Sequence, residues 1–141
     1  MKRKTHWSKK LIKLGACRDA VMWAATQSSP AAAWKNCERG DWMLWLLGKL
    51  SGPPESASRK KLVLAACACA RQALRFVPTG EDRPRLAIEI AERWAKNKAG
   101  VMLEQVKTAA YAAASAAARI AALKESANII RKMYRKPLRL K

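Results

Sequence analysis

Between Trp42 and Leu50 the chain reads Trp-Met-Leu-Trp-Leu-Leu-Gly-Lys-Leu, and seven of these nine residues are large and apolar. Wound into a helix they fall on every side, and a helix that is apolar all round has to be covered by its neighbours. At 1.5 Å per residue the stretch reaches only about 14 Å, far less than the roughly 20 apolar residues that cross a bilayer. It therefore requires a water-excluding core made by the rest of the chain. With 141 residues one domain is the default.

The flanking sequence supplies helices for that core and no strand pattern. Ser29 before Pro30 is a helix start, serine as cap and proline at the first helical position. That helix should run to Arg39, with Gly40 closing it and Asp41 capping the apolar helix. Arg39-Gly40-Asp41 also spells an integrin-like tripeptide, but a helix stop followed by a helix cap explains it better. Gly-Pro-Pro in the 51–58 loop forbids helix, Ser58 should cap a helix from Arg59 to Val77, and Pro78 stops it. Leu86, Ile90 and Trp94 recur at four-residue steps and read as the buried stripe of the next helix. Glu89–Arg93 and Glu92–Lys96 are in the favourable acid-first i,i+4 order.

A last helix is expected from Met102 to Arg135, about 50 Å long. Ten of the fourteen residues from 109 to 122 are alanine, the strongest helix former. Leu103, Val106, Ala110, Ala113, Ala117, Ile120, Leu123, Ala127, Ile130 and Tyr134 form a continuous seam at steps of three or four. Its thin centre matches the run of small residues at 65–70, so these two helices should lie close together. The same seam would also let two copies of the chain pair. The expected fold is all-α: a single compact bundle of five to six helices with one long alanine-rich C-terminal helix. Its expected divisions are a basic N-terminal arm at 1–13, a helical domain at 14–135 and a basic tail at 136–141.

Charge separates the ends from the body. The chain has 29 Lys and Arg against 10 Asp and Glu, a formal +19. Lys2, Arg3, Lys4, Lys9, Lys10 and Lys13 lie at one end, and Arg131, Lys132, Arg135, Lys136, Arg139 and Lys141 at the other, with no acid among either group. Arg131/Arg135 and Lys132/Lys136 are like-charged i,i+4 pairs, which repel unless an external anion holds them. A polyanionic partner is the physical implication. Arg59, Lys60, Lys61, Arg71 and Arg75 extend the candidate anion-binding set along one helix, and Arg139 completes it in the tail. Trp7, in the basic arm, either stacks on a base or headgroup or docks on the body.

Catalysis and metal binding find little support. The only histidine, His6, sits in the basic arm, and no Gly-rich phosphate loop occurs. The few acids have capping or pairing roles available. Of the four cysteines, Cys67 and Cys69 are two apart on a helix and diverge by about 200°, so they share neither a bond nor a metal. Buried free thiols in a reducing cytoplasm are expected. No apolar signal core follows the N-terminal charges. The chain is thus expected to be a cytoplasmic protein, no enzyme, needing no cofactor and no metal.

Three segments carry a resemblance: Cys37-Glu38-Arg39-Gly40-Asp41-Trp42-Met43-Leu44-Trp45-Leu46, Arg59-Lys60-Lys61-Leu62-Val63-Leu64-Ala65-Ala66-Cys67, and Gly80-Glu81-Asp82-Arg83-Pro84-Arg85-Leu86-Ala87-Ile88-Glu89 before an alanine-rich helix. Together, over residues 14–130, they resemble a family of small alanine-rich proteins of phages and bacteria labelled immunity proteins. The resemblance implies an all-α domain from defence-related or mobile-element settings and carries no catalytic residue. The basic ends lie outside it.

Charge and resemblance lead to two expectations. The first is a non-catalytic basic accessory or inhibitor protein that binds nucleic acid, RNA or DNA, or a nucleoprotein such as a nuclease–guide complex. It would do so through phosphate contacts with little base readout. The second is an immunity-like or anti-defence protein that binds an acidic surface of a target protein. Adsorption of Lys2 to Leu14 on an anionic membrane ranks behind both.

Overall fold

A computed structural model describes residues 4–97, 120–136 and 140. Within them the chain is all-α, with seven α-helices and one 3-10 turn. The helices are α1 (Lys9–Leu14), α2 (Arg18–Ala25), α3 (Pro30–Asn36), α4 (Gly40–Leu50), α5 (Ala57–Ala73), α6 (Arg83–Ala95) and α7 (Ile120–Met133). This exceeds the expected five to six, because the stretch before Ser29 forms two short helices. Gly15 takes φ +88° and closes α1, a left-handed geometry that favours glycine, and Cys17 enters α2 in extended conformation.

The helix that organises the bundle is α5 rather than the apolar stretch in α4. Its small side chains let helices approach from two sides. Leu62, Ala65 and Cys69 face a core shared with Trp34, Met43 and Leu47, and with Ala127, Ile130 and Tyr134 at the C-terminal end. Cys67 belongs to a second core with Ile88, Ala91, Trp94 and Ala95 of α6. The divergence expected of Cys67 and Cys69 is thus realised. The Cys67 thiol lies 3.8 Å from the Ile88 carbonyl, and the Cys69 thiol 3.7 Å from that of Ser126. α5 does pack on α7, as expected of these two helices, here through Ala127, Ile130 and Tyr134 at the C-terminal end of the seam. The alanine-richest part of that seam, together with the expected helix start at Met102, lies outside the described residues.

Around this axis several local expectations hold and others shift. Ser29 caps α3 by accepting from the Ala32 N–H at 3.1 Å, with Pro30 leading the helix. But α3 stops at Asn36, and Gly40 is the first residue of α4 instead of the end of its predecessor. Asp41 lies in the first turn, where its charge suits the helix dipole, and makes two bonds with Arg39, at 2.9 and 2.6 Å. Ser56, not Ser58, caps α5. Ser58 is drawn off because its hydroxyl accepts from the Gly52 N–H at 2.9 Å. A Cβ on Gly52 would come within 2.9 Å of the Ser56 hydroxyl, so this turn requires glycine.

On α6 the expected stripe holds at Trp94, which is buried, and at Ile90, which packs against the same core, but not at Leu86, which is 46 % exposed. Ala87, Ile88, Ala91 and Ala95 are buried as well, and Ile88 with two alanines packs against the small side chains of α5. The acids of α6 pair differently too: Glu92 with Arg71 of α5, and Glu89 with Arg85. Within α4, Leu47 is fully buried and Met43 nearly so, but Trp45 is 36 % exposed, so that helix is less uniformly covered than its composition implies.

Candidate binding face and indole-lined cavity

Two helix ends show how this chain uses some of its cations. The Arg59 guanidinium, one turn into α5, donates to the carbonyls of Gly48, Ser51 and Gly52 at 3.1, 3.4 and 3.1 Å. These are the carbonyls left without partners where α4 ends. Arg131 repeats the device from α7. It donates to the Cys37 carbonyl, to that of Trp34 at 3.3 Å and to the Asn128 side chain at 2.6 Å, closing the end of α3. Both guanidinium groups therefore have internal partners, although both belong to the anion-binding set read from sequence.

The other cations of α5 are also engaged. Lys60 contacts Asn97, lies 3.9 Å from Glu55 and stands over the Trp94 ring at 5.3 Å. Lys61 lies over the Tyr134 ring at 4.1 Å. Arg71 grips Glu92 with two bonds of 2.7 Å, and Arg75 pairs with Glu125 at 3.1 Å. Glu92 is held below the usual carboxylate range by the Arg71 hydrogen bonds, and Glu81 is pulled down to about 2 by those from Arg83. Every carboxylate of the described residues except Asp19 lies within ion-pair distance of a base. The bases so paired all belong to the body of the chain.

Lys4, Lys9, Lys10 and Lys13 are exposed, as are Lys132, Arg135 and Lys136, and among the described residues none of them has a carboxylate partner. Arg18, Lys35, Lys49, Arg93 and Lys96 of the body are likewise exposed and outside ion-pair range of any described carboxylate, so the ends are distinguished by having no acid of their own. Lys2, Arg3, Arg139 and Lys141 lie outside the described residues.

Both ends border one cavity. Trp7 docks on the body, its indole N–H donating to the Gln27 carbonyl at 3.0 Å. His6 reaches the same oxygen at 3.1 Å through Nε2, which leaves Nδ1 to accept from the Ser8 hydroxyl at 2.8 Å. At the other end, the Trp34 indole donates to the Tyr134 carbonyl at 3.0 Å. Between these attachments lies a cavity of about 540 Å³, within the range of ligand pockets. Trp7 and Leu11 bound it from the N-terminal side and Leu140 from the C-terminal side. Trp23, Trp34, Trp42 and Trp45 complete an aromatic wall, with Ala16, Ala20 and Ala33 leaving the open volume.

Few polar groups enter this space. Arg39 stacks over Trp42 at 4.5 Å while holding Asp41. Burial works to raise the Asp41 carboxyl, but the Arg39 hydrogen bonds and charge outweigh it, leaving Asp41 below its ordinary value. Cys17 is the exposed thiol at the cavity, whereas Cys37 is buried and its thiol pushed up by that burial. The sequence did carry a signal for the cavity: five of the six tryptophans fall within the first 45 residues, interleaved with alanine and glycine. Tryptophan content alone does not say that the packing stays incomplete.

Among the described residues no three His, Cys, Asp or Glu side chains gather to hold a metal ion, and no helix is long and apolar enough to cross a membrane. Searches of the curated proteins and of the solved structures found no match. Residues 52–133 match the family described as Imm-5 like putative immunity protein. That segment holds α5, α6 and α7, while every residue lining the cavity lies outside it. With more than half of its length matched, this chain belongs to the Imm-5 like putative immunity protein family.

Proposed function

We propose that this chain is a non-catalytic, immunity-type inhibitor that neutralises a target by binding an acidic surface of it with the two cationic ends. One observation carries the reading. The body sets its acids beside its own bases, while the two acid-free ends turn Lys9, Lys10, Lys13, Lys132, Arg135 and Lys136 to solvent with no carboxylate partner among the described residues. Positive charge so placed speeds encounter with an acidic partner and repels basic ones. Family membership supports a partner-binding role, and the aromatic cavity between the ends supplies the apolar anchorage that charge alone lacks.

The same free cations favour a second reading, nucleic acid or a nucleoprotein held through phosphates. One experiment separates the two. Affinity capture from nuclease-treated lysate should retain a discrete acidic protein, and a Lys9/Lys10/Lys13/Lys132/Arg135/Lys136 alanine variant should lose it. Loss of all capture after nuclease, with a salt-steep gel shift on generic RNA or DNA, would reverse the order of the readings.

A further inference from the structure

We infer that the indole-lined cavity is the seat for a leucine-sized aliphatic side chain carried on an acidic segment of the partner protein. The inference rests on the proposed protein-binding function and names the chemistry that the binding face selects. Three observations lead to it.

The cavity wall is apolar and aromatic, which suits a hydrocarbon side chain and leaves a polar one without hydrogen-bond partners. The chain's own Leu140, half-buried at the cavity edge, already demonstrates that an aliphatic side chain on a terminal segment fits there. The N-terminal rim is cationic: Leu11 reaches the cavity from a helix whose Lys9, Lys10 and Lys13 are exposed without a carboxylate partner among the described residues, while the one acid of the lining, Asp41, is held by Arg39. A segment that sends a leucine inward thus meets positive charge on its flanks, and Asp or Glu next to the anchor is the complementary choice. Tryptophan and arginine are the residue types that dominate such anchor sites.

Cys17 gives a direct readout, being the exposed thiol at the cavity while Cys37, Cys67 and Cys69 are buried. The probes are a synthetic Asp/Glu-rich peptide with one central leucine, the same peptide with alanine in its place, and a single-stranded oligothymidylate. Binding is followed by tryptophan fluorescence, and cavity occupancy by the rate of Cys17 alkylation. The leucine peptide should bind at least about tenfold more tightly than the alanine peptide, the ratio expected from burying one leucine side chain. It alone should slow Cys17 alkylation.

Ala20→Leu, which projects a larger side chain into the cavity from α2, should reduce that preference and leave alanine-peptide binding unchanged. Should Ala20→Leu fail to fold, Leu140→Ser serves instead: with the resident side chain removed, leucine-peptide affinity should rise severalfold. Equal affinity for the two peptides would overturn the cavity assignment while leaving the cationic-end function standing. Binding of neither peptide would overturn both. Alkylation slowed by oligothymidylate and by no peptide would overturn the inference in favour of base stacking.

Discussion

Arg131 offers the sharpest separation of structural from free cations. Its guanidinium bridges the carbonyls of Trp34 and Cys37 and the Asn128 side chain, tying α7 to the end of α3. Serine at this position removes the bridge and leaves those carbonyls to whatever water can reach them. A hydrogen bond to a charged donor contributes about 1.5–3 kcal/mol, and the half-buried setting of Arg131 argues for the lower end. Two such carbonyl bonds, plus a few tenths of a kcal/mol from losing a cation at a helix C-terminus, give an expected loss of about 2–4 kcal/mol. With a urea m-value of about 2 kcal/mol/M, the unfolding midpoint should fall by about 1–2 M.

The measurement is equilibrium urea unfolding followed by far-ultraviolet circular dichroism. Its control is the triple variant Lys132→Ser, Arg135→Ser, Lys136→Ser, in which exposed side chains are removed and stability should change by under about 0.5 kcal/mol. Arg131→Lys should recover less than half of the loss, since an ammonium keeps the charge but not the planar fork that spans two carbonyls. A single variant no less stable than the triple one would refute the capping role. It would also return Arg131 to the solvent-facing set.

Three further outcomes follow from burial. Leu47→Ala should cost about 2–5 kcal/mol, whereas Trp45→Ala, at a partly exposed ring with Lys49 5.7 Å from it, should cost clearly less; equal losses in urea unfolding would contradict the placement of α4. Tyr134→Phe should leave the thermal midpoint unchanged or raise it, because the buried Tyr134 hydroxyl has no hydrogen-bond partner among the described residues, and a drop of more than 1 kcal/mol would reveal one. Burial pushes the Cys67 thiol up to about 11 from the ordinary 9.0 and raises Cys37 and Cys69 as well. The folded state therefore holds protons that the unfolded chain releases, so the thiol contribution is intact below pH 9 and lost as pH rises toward 11. Unfolding midpoints should fall across that window, and Cys67→Ala should flatten the fall; an unchanged slope would remove the thiol as its cause.

What could be read from the sequence, and what could not, divides by the range of the interaction. Ser29-Pro30 and the small-residue run at 65–70 are local signals, and the cap of α3 and the approach of α5 to α7 followed from them; the packing of α6 on the other side of α5 did not. On α6 the four-residue spacing found Ile90 and Trp94, but spacing alone does not fix which edge of an apolar face turns inward, and there Ile88 is buried and Leu86 exposed. The long-range roles were the least legible. The carbonyls that hold Arg131 lie 94 and 97 residues away in the chain, and no i,i+4 rule points to them. The like-charged pair Arg131 and Arg135 therefore points to an outside anion only as long as the sequence is read locally, because one of the pair is held from within by helix-end carbonyls. The cavity escaped notice for a related reason: tryptophan content measures how much aromatic surface a core can hold, and nothing in composition says whether neighbouring alanines let that surface close. Positive charge available to a partner is what remains after carboxylates and helix ends have taken their share; besides Arg18, Lys35, Lys49, Arg93 and Lys96, scattered over the body, that remainder includes Lys9, Lys10 and Lys13 on α1 and Lys132, Arg135 and Lys136 at the end of α7, the two acid-free ends whose Leu11 and Leu140 border the indole-lined cavity.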